Sequence, residues 1–281
     1  MFGIGISKGY FNRMQIKVEH KDGDRLLVNA DFAKILECNG INSFEDLWNM
    51  SGEPVKNILK ERGTERVFLK SPDGSALTEA YIKRYRPEPF MSRLKNILSL
   101  RPCRFPGAMN EWEAILEFHR RNLPTMQPLA CGAAGGNSCI LTLGITDYVR
   151  ASELFAKFAK GERVRRRKLI RRIAELAAGM HKAKMAHQDF YLVHLFVKEK
   201  EDDCVCLIDL QRVIFEESFS ERWRVKDLAQ LLFSAEKLVS RTDILYFWRV
   251  YTDMEGGELY GDSSLANRIF RKAARIKRHA S

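Results

Sequence analysis

An α+β fold in two lobes, strands first and helices second, is predicted for this chain by three observations. The first half consists mostly of short apolar runs separated by glycine-bearing turns. The second half carries apolar residues at helical spacing. One helical pattern, at about 110–121, interrupts the strands. With 281 residues, 45% of them hydrophobic, the chain is long and apolar enough to build two such cores.

The elements follow in order. Met14–Val18 and Arg25–Val28 flank Lys21-Asp22-Gly23-Asp24, a hairpin signal. Residues 31–50 are predicted helical in two halves, with stripes of Phe32, Ile35, Leu36 and of Phe44, Leu47, Trp48, broken at Asn39-Gly40. Residues 55–60, 66–70 and 80–85 form an antiparallel meander with turns at Glu61–Glu65 and Ser71–Gly74. The helix at 110–121 comes next, then strands 126–131 and 138–143 across Gly132–Gly136. Beyond them lie helices at 152–160 and 168–182, then a hairpin of 195–197 and 205–208 around a charged turn. Helices at 226–239, 243–251 and 264–278 end the chain. The expected division is an N-terminal extension packed on or part of the first lobe (1–50), a first lobe (51–145) and a second lobe (146–281), with a hinge near 144–148.

The formal charge of +11 is concentrated in two runs, Arg163–Arg172 and Arg268–Arg278. Such runs suit phosphate-rich partners: nucleic acid, an anionic membrane or an anionic substrate; an ordinary solvated helix face explains each equally well. No nucleic-acid-binding module accompanies them. The six cysteines, Cys38, Cys103, Cys131, Cys139, Cys204 and Cys206, include no C-x-x-C pair and are expected as reduced, buried thiols of a cytosolic protein. Neither a secretory signal nor an apolar run long enough to span a membrane is present in the sequence.

The chemistry is concentrated in His187-Gln188-Asp189-Phe190-Tyr191-Leu192-Val193-His194 and in Ile208-Asp209-Leu210 one hairpin later. H-x-D, a metal-side residue beyond it and a second aspartate after a β-hairpin are the spacing of a phosphotransferase centre. Asp189 would accept the proton of a substrate hydroxyl or hold that hydroxyl in line, and Asp209 would hold magnesium. Phosphoryl transfer also needs a cation on the nucleotide phosphates and a carboxylate to fix that cation. Lys83, on the strand Tyr81-Ile82-Lys83, is the candidate cation, although a lone strand lysine is more often a solvent-facing one. Glu111 is the acid on the apolar face of its helix beside Trp112, Ile115 and Phe118, and an acid there needs a partner, which Lys83 would supply. With these in place the fold prediction becomes a protein-kinase-like bilobal one, with a β-rich N-lobe bearing one regulatory-type helix and a helical C-lobe.

Three features depart from a protein kinase. His194 stands where such kinases have asparagine, and either ligates metal or makes a structural hydrogen bond to the loop. Gln188 replaces the arginine used in phosphorylation switching. The span from Asp209 to Asp227 is short and lacks A-P-E, which argues against a folded protein substrate. Gly63 and Thr64 are the candidate phosphate-side backbone in the turn at 61–65, which has one glycine where a phosphate loop has three.

The chain resembles the lipopolysaccharide kinase family, whose members phosphorylate Kdo or core heptose. The resemblance rests on His187-x-Asp189-x-Tyr191-x-x-His194, on Ile208-Asp209-Leu210-x-Arg212 and on Arg222-Trp223-x-x-Lys226-Asp227-Leu228. Tyr81-x-Lys83-Arg84-Tyr85 and Asn110-Glu111-Trp112 extend it over roughly residues 55–240. It implies ATP and Mg2+, with a sugar hydroxyl of the lipopolysaccharide core, a glycolipid, as acceptor. By motif position it makes Asp189 the catalytic residue, Asp209 the metal ligand beside His194, and Lys83 with Glu111 the ATP-binding pair. His187 and Asp227 then support the catalytic loop. It also implies a cytoplasmic enzyme whose cations meet the anionic inner-membrane surface peripherally, each worth about 1 kcal/mol close to headgroups; the terminal helix could lie in that interface or pack on the C-lobe. No nucleic-acid partner is expected. The competing expectations are a kinase for a protein or small soluble metabolite, and a catalytically inactive kinase-like domain that binds membrane or nucleic acid.

Overall fold

A seven-stranded antiparallel sheet organises the first half of the chain in the computed structural model, which describes residues 15–55, 62–87, 107–158, 162–198, 201–217, 219–257 and 261–280. The strands are β1 (Val18–Lys21), β2 (Leu26–Asn29), β3 (Glu53–Pro54), β4 (Arg62–Lys70), β5 (Leu77–Tyr85), β6 (Pro128–Ala134) and β7 (Asn137–Leu143). Their order across the sheet is β1-β2-β6-β7-β5-β4-β3. Contacts divide the chain into two units, one of residues 1–103, 115–123 and 127–143, the other of 104–114, 124–126 and 144–281.

In the first unit one face of the sheet is apolar because alternate strand residues point the same way. Leu26, Val28, Val67, Leu69, Ala80, Ile82 and Leu141 meet Leu36, Ile41, Phe44 and Leu47 from α1 (Ala33–Cys38), α2 (Phe44–Trp48) and the loop between them. Residues 15–50 therefore contribute two strands to the sheet and the helices that cover it. Ser43 starts α2 with a reciprocal capping box to Asp46. Asp22, in the hairpin turn, accepts the Phe44 N–H at 2.9 Å, and this bond, with Arg25 beside it, holds its carboxyl below the usual range. Gly132 leaves room for the Phe44 ring: a Cβ there would lie 2.8 Å from the ring edge. Arg84 is buried on the core face, bridging Glu65 at 2.9 Å and donating to the Trp48 carbonyl at 2.7 Å and to that of Met50.

Several expectations shift here. The first strand spans Val18–Lys21 rather than Met14–Val18, because Lys21 pairs with Leu26 and closes a four-residue turn with Asp22, Gly23 and Asp24 at positive φ; Met14 lies outside the described residues. The meander is present as β3, β4 and β5, although residues 56–61 of its expected first strand and turn lie outside the described residues. The turn expected at Glu61–Glu65 is overturned over 62–65. Gly63 and Thr64 continue β4, opposite Arg84 and Lys83, because the ladder to β5 runs unbroken to Arg62↔Tyr85.

The second unit is mainly helical. Its helices are the first half of α3 (Ala108–Arg120), α4 (Ala151–Lys157), α5 (Arg163–Lys182), α6 (Glu221–Ala235), α7 (Arg241–Met254) and α8 (Ser263–Ala280). α5 buries Leu169, Ile173, Leu176, Ala177 and Met180, the stripe expected of it. A small sheet joins β8 (Tyr148–Arg150), β10 (Leu195–Lys198) and β11 (Glu201–Leu207), and a two-stranded one joins β9 (Met185–Ala186) to β12 (Ile214–Phe215). Part of the first basic run is structural: Arg166 bridges Asp243 at 2.9 Å, Arg171 donates to the Tyr246 hydroxyl and Arg167 stacks over the Tyr246 ring. α8 packs on α6 and buries Leu265, Ile269 and Ala273.

Cys131, Cys139 and Cys206 are buried, and burial pushes the last two thiols up to about 12. Cys38 is exposed, contrary to expectation, because it closes the outer face of α1; Cys103 lies outside the described residues. Among the described residues no helix is long and apolar enough to cross a membrane.

Candidate phosphotransfer site

The loop after β9 is held by one face of α6. Asp227, fully buried, accepts the His187 and Gln188 N–H groups on its two oxygens, each at 2.8 Å, and lies 3.4 Å from His181 Nε2. One turn on, Gln230 accepts the Phe190 N–H at 3.1 Å and donates to the Gln188 carbonyl at 2.9 Å. One turn further, Ser234 accepts the Leu192 N–H at 2.8 Å. Residues 227, 230 and 234 share a helix face, so the loop's backbone donors meet a column of polar side chains. Gln230 and Ser234 were not singled out from the sequence. Their spacing from Asp227 on one helix was the signal available.

The loop needs this support because it is not regular. Gln188 sits in the left-handed region at φ 64°, as does Asp209, and non-glycine residues there cost roughly 1–3 kcal/mol each. His187, fully buried, donates from Nε2 to the Ile208 carbonyl at 3.1 Å, while the Ile208 N–H returns to the His194 carbonyl at 3.0 Å. These two bonds fix the loop to the end of β11 and so bring Asp189 and Asp209 together. Because Nε2 carries the proton, His187 Nδ1 is a bare acceptor, buried without a partner. Burial pulls the pKa of His187 down, keeping the ring neutral.

Of the two expectations for His194, the structure shows the hydrogen bond to the loop. Its Nδ1 donates to the Asp189 carbonyl at 2.8 Å, the structural bond. That bond leaves the Nε2 lone pair free to ligate, and Nε2 lies 3.9 Å from Asp209 Oδ2. One ligand atom each of Asp189, His194 and Asp209 falls within 4.8 Å of the others. Two carboxylates and an imidazole fit a divalent cation: the carboxylates suit magnesium, which keeps waters and phosphate oxygens in its shell, and the imidazole widens the set toward transition metals.

One cation adjoins Asp189 and a second adjoins its neighbour Gln188. Arg212 Nη1 lies 3.5 Å from its Oδ1, and Lys226 Nζ lies 3.3 Å from Gln188 Oε1. Gln188 also donates to the Arg212 carbonyl at 2.8 Å, so the residue in the place of the usual arginine links the two. Asn110 donates to the carbonyls of Gln211, at 2.5 Å, and Val213, anchoring the start of α3 to the segment after Asp209.

The structure thus gathers His187, Asp189, His194, Asp209 and Asp227 at one place. Lys83, half-buried on β5, is the register partner of Thr64 on β4, with Gly63 beside it in the first unit. Glu111 lies in the first turn of α3, fully buried beside Trp112, on the face expected of it.

The model of the lipopolysaccharide kinase (Kdo/WaaP) family matches residues 45–251. Two curated proteins named lipopolysaccharide core heptose(I) kinase WaaP are similar to the chain. The one from Escherichia coli strain K12 is 30% identical over 253 residues, covering 85% of this chain and 92% of its own. The one from Pseudomonas aeruginosa is 27% identical over 242 residues, covering 81% and 86%. A solved structure described as WaaP in complex with acyl carrier protein superposes with a TM-score of 0.69 at 26% identity, over 90% of this chain and 99% of that one. Motif, constellation and match agree, and the chain belongs to the lipopolysaccharide kinase (Kdo/WaaP) family.

Proposed function

We propose that this protein transfers the γ-phosphoryl group of ATP to a hydroxyl of a heptose in the lipopolysaccharide inner core. The observation that carries the reaction type is the gathering of Asp189, His194 and Asp209 on a loop held by buried Asp227. The names of the similar proteins favour heptose over Kdo as acceptor.

Asp189 holds the acceptor hydroxyl in line and takes its proton as the new P–O bond forms. The bonds that the loop's N–H groups donate to Asp227 and Gln230 prevent the loop from retreating, so the position of Asp189 is set before substrate arrives. Asp209 and His194 would hold the divalent ion that, when bound, offsets the charge of the ATP phosphates. Lys83 and Glu111 are assigned as the phosphate-side pair, with Gly63 and Thr64 as their strand neighbours.

The test is incubation with labelled ATP, magnesium and lipid A acceptors ending either in Kdo or in Kdo plus heptose. Label on the heptose-bearing acceptor alone is the expected result. Label on the Kdo-only acceptor would move the assignment to Kdo, and folded wild-type protein that labels neither, at any divalent ion, would sink the reading.

A second association is favoured by a specific cavity. In the second unit, an open cavity of about 400 Å³ is lined by apolar side chains of α4–α8, among them Phe155, Ile173, Leu231, Trp248 and Ile269. We propose that it accommodates the chain of an acylated carrier protein, which the cationic outer face of α8 would attract. Co-elution with acylated but not unacylated carrier protein is expected; equal behaviour of the two overturns it. We also propose contact of that same face with an anionic membrane, and sedimentation with phosphatidylglycerol vesicles but not phosphatidylcholine ones tests it.

A further inference from the structure

We propose that Arg212 and Lys226 form a cationic clamp that takes the charge of the phosphoryl group as it passes between ATP and the acceptor. This rests on the phosphotransfer reading above.

Phosphoryl transfer at this site faces a charge problem. The transferring group is an anion, and while a divalent ion would offset the charge of Asp209, the group must still approach Asp189, a second carboxylate in the same small space. A bare carboxylate repels it by several kcal/mol at about 4 Å where the effective dielectric is low. The loop itself offers no relief, since Phe190, Tyr191, Leu192 and Val193 follow Asp189 and none is cationic. The cations against this loop come from elsewhere: Arg212, from the turn after Asp209, and Lys226, from α6.

Their geometry suits the task. Arg212 touches Asp189 Oδ1 through one nitrogen at 3.5 Å and is nearly half exposed, leaving guanidinium donors for a phosphoryl oxygen. Lys226 is half-buried, where an ammonium is costly, and its nearest polar contact is the long 3.3 Å one to Gln188 Oε1. Burial, then Arg212 and, least, Lys272 pull its pKa down, while Asp227 and Asp189 pull it up. Gln188 links Lys226 to the backbone of Arg212, contacting the Lys226 ammonium with its oxygen and the Arg212 carbonyl with its nitrogen. A partly desolvated cation pair beside the reacting carboxylate strengthens its grip as negative charge moves between leaving and attacking oxygens.

The full-length protein is compared with R212Q, R212K, K226M and K226R in two measurements. The first is steady-state transfer; the second, which needs no glycolipid, is binding of MgADP with and without aluminium fluoride, a mimic of the transferring group. The clamp predicts that kcat falls about 100-fold or more in R212Q and K226M. Both KM values should stay within about threefold, and the tighter binding conferred by fluoride should be lost while MgADP binding remains. R212K and K226R, which keep the charge, should recover part of each effect.

A kcat within about threefold of wild type overturns the clamp. So does a rise confined to the acceptor KM, which would assign the pair to an anionic group of the acceptor. Equal loss of MgADP and fluoride-complex binding with earlier unfolding would make the residues structural and overturn it also. Wild type that transfers to no lipopolysaccharide acceptor, yet binds the fluoride complex tightly and loses this in R212Q and K226M, would refute the acceptor and leave the clamp standing.

Discussion

Lys83 and Asp189 are supported in opposite ways. The strand that carries Lys83 satisfies its own backbone through the ladder, with β4 on one side and β7 on the other, and is fixed by apolar packing of Ala80 and Ile82 against α1 and α2. The loop that carries Asp189 has no ladder. Four of its backbone N–H groups, from His187, Gln188, Phe190 and Leu192, end instead on Asp227, Gln230 and Ser234 of a single helix. The first region therefore depends on volume and the second on individual polar atoms. Errors of shape should hurt the first, and errors of a single donor or acceptor the second.

The sharpest break tests the loop at its working end. Asp189→Asn keeps the shape, removes the proton acceptor and should lower kcat by about 10²–10⁴-fold with unchanged unfolding temperature. Steady-state transfer and thermal unfolding measured on one preparation check it; an active variant would remove Asp189 from the chemistry. Asp227→Asn is the corresponding change in the support. An amide turns one of the two acceptors into a donor facing an N–H, so a loss of about 2–3 kcal/mol in stability is expected, together with loss of transfer. Urea unfolding that matches wild type would show that the loop does not need the carboxylate.

The same contrast explains what the sequence revealed. Acids and histidines of the loop were legible because their spacing follows from chemistry: Asp189, His194 and Asp209 must converge, and a hairpin between them makes that possible. Glu111 was legible because an acid among Trp112, Ile115 and Phe118 violates the helical pattern. The two-lobed order of strands and helices followed from periodicity. What escaped was support that depends on tertiary register. Gln230 and Ser234 look like ordinary helix polar residues until the loop lies against them. The turn assigned to residues 61–65 failed because a single glycine can sit within a long strand, and only the partner β5 shows that the ladder continues. Residues 15–50 carried no functional signal because their role is to extend and cover a sheet, which any suitable apolar pattern can do.

In the first unit Arg84→Met tests a polar exception to the apolar packing. It removes a buried guanidinium that binds Glu65 and the carbonyls at the end of α2, while Lys83 next to it points to the opposite face of the strand. Glu65 remains partly solvated, so about 2 kcal/mol is expected, with a raised KM for ATP and a smaller change in kcat. The reverse pattern, kcat lost and KM kept, would mean that Arg84 acts on the loop region. Gly132→Ala probes volume alone: its Cβ would meet the Phe44 ring at 2.8 Å and the Arg25 carbonyl at 3.1 Å, costing about 1–2 kcal/mol. Pairing it with Phe44→Leu should recover part of that loss.

The smallest effect separates the two regions by pH. His187 is fully buried and its pKa is lowered by that burial, whereas unfolded it would titrate at the ordinary 6.5. A depressed folded pKa means that the neutral ring contributes stability above 6.5, and that this contribution is lost as the pH falls from there through the folded value. The slope is at most that of one proton, about 1.4 kcal/mol per pH unit. Replacing His187 with glutamine removes the titration, so its urea midpoint should change less than wild type between pH 7.5 and 5.5, even though its stability at pH 7.5 is lower. The Gly132→Ala variant, whose defect is packing in the other unit, should keep the wild-type pH slope. If it flattened as His187→Gln does, the slope would not belong to the loop, and the division between a region built on volume and one built on single atoms would fail at its most sensitive point.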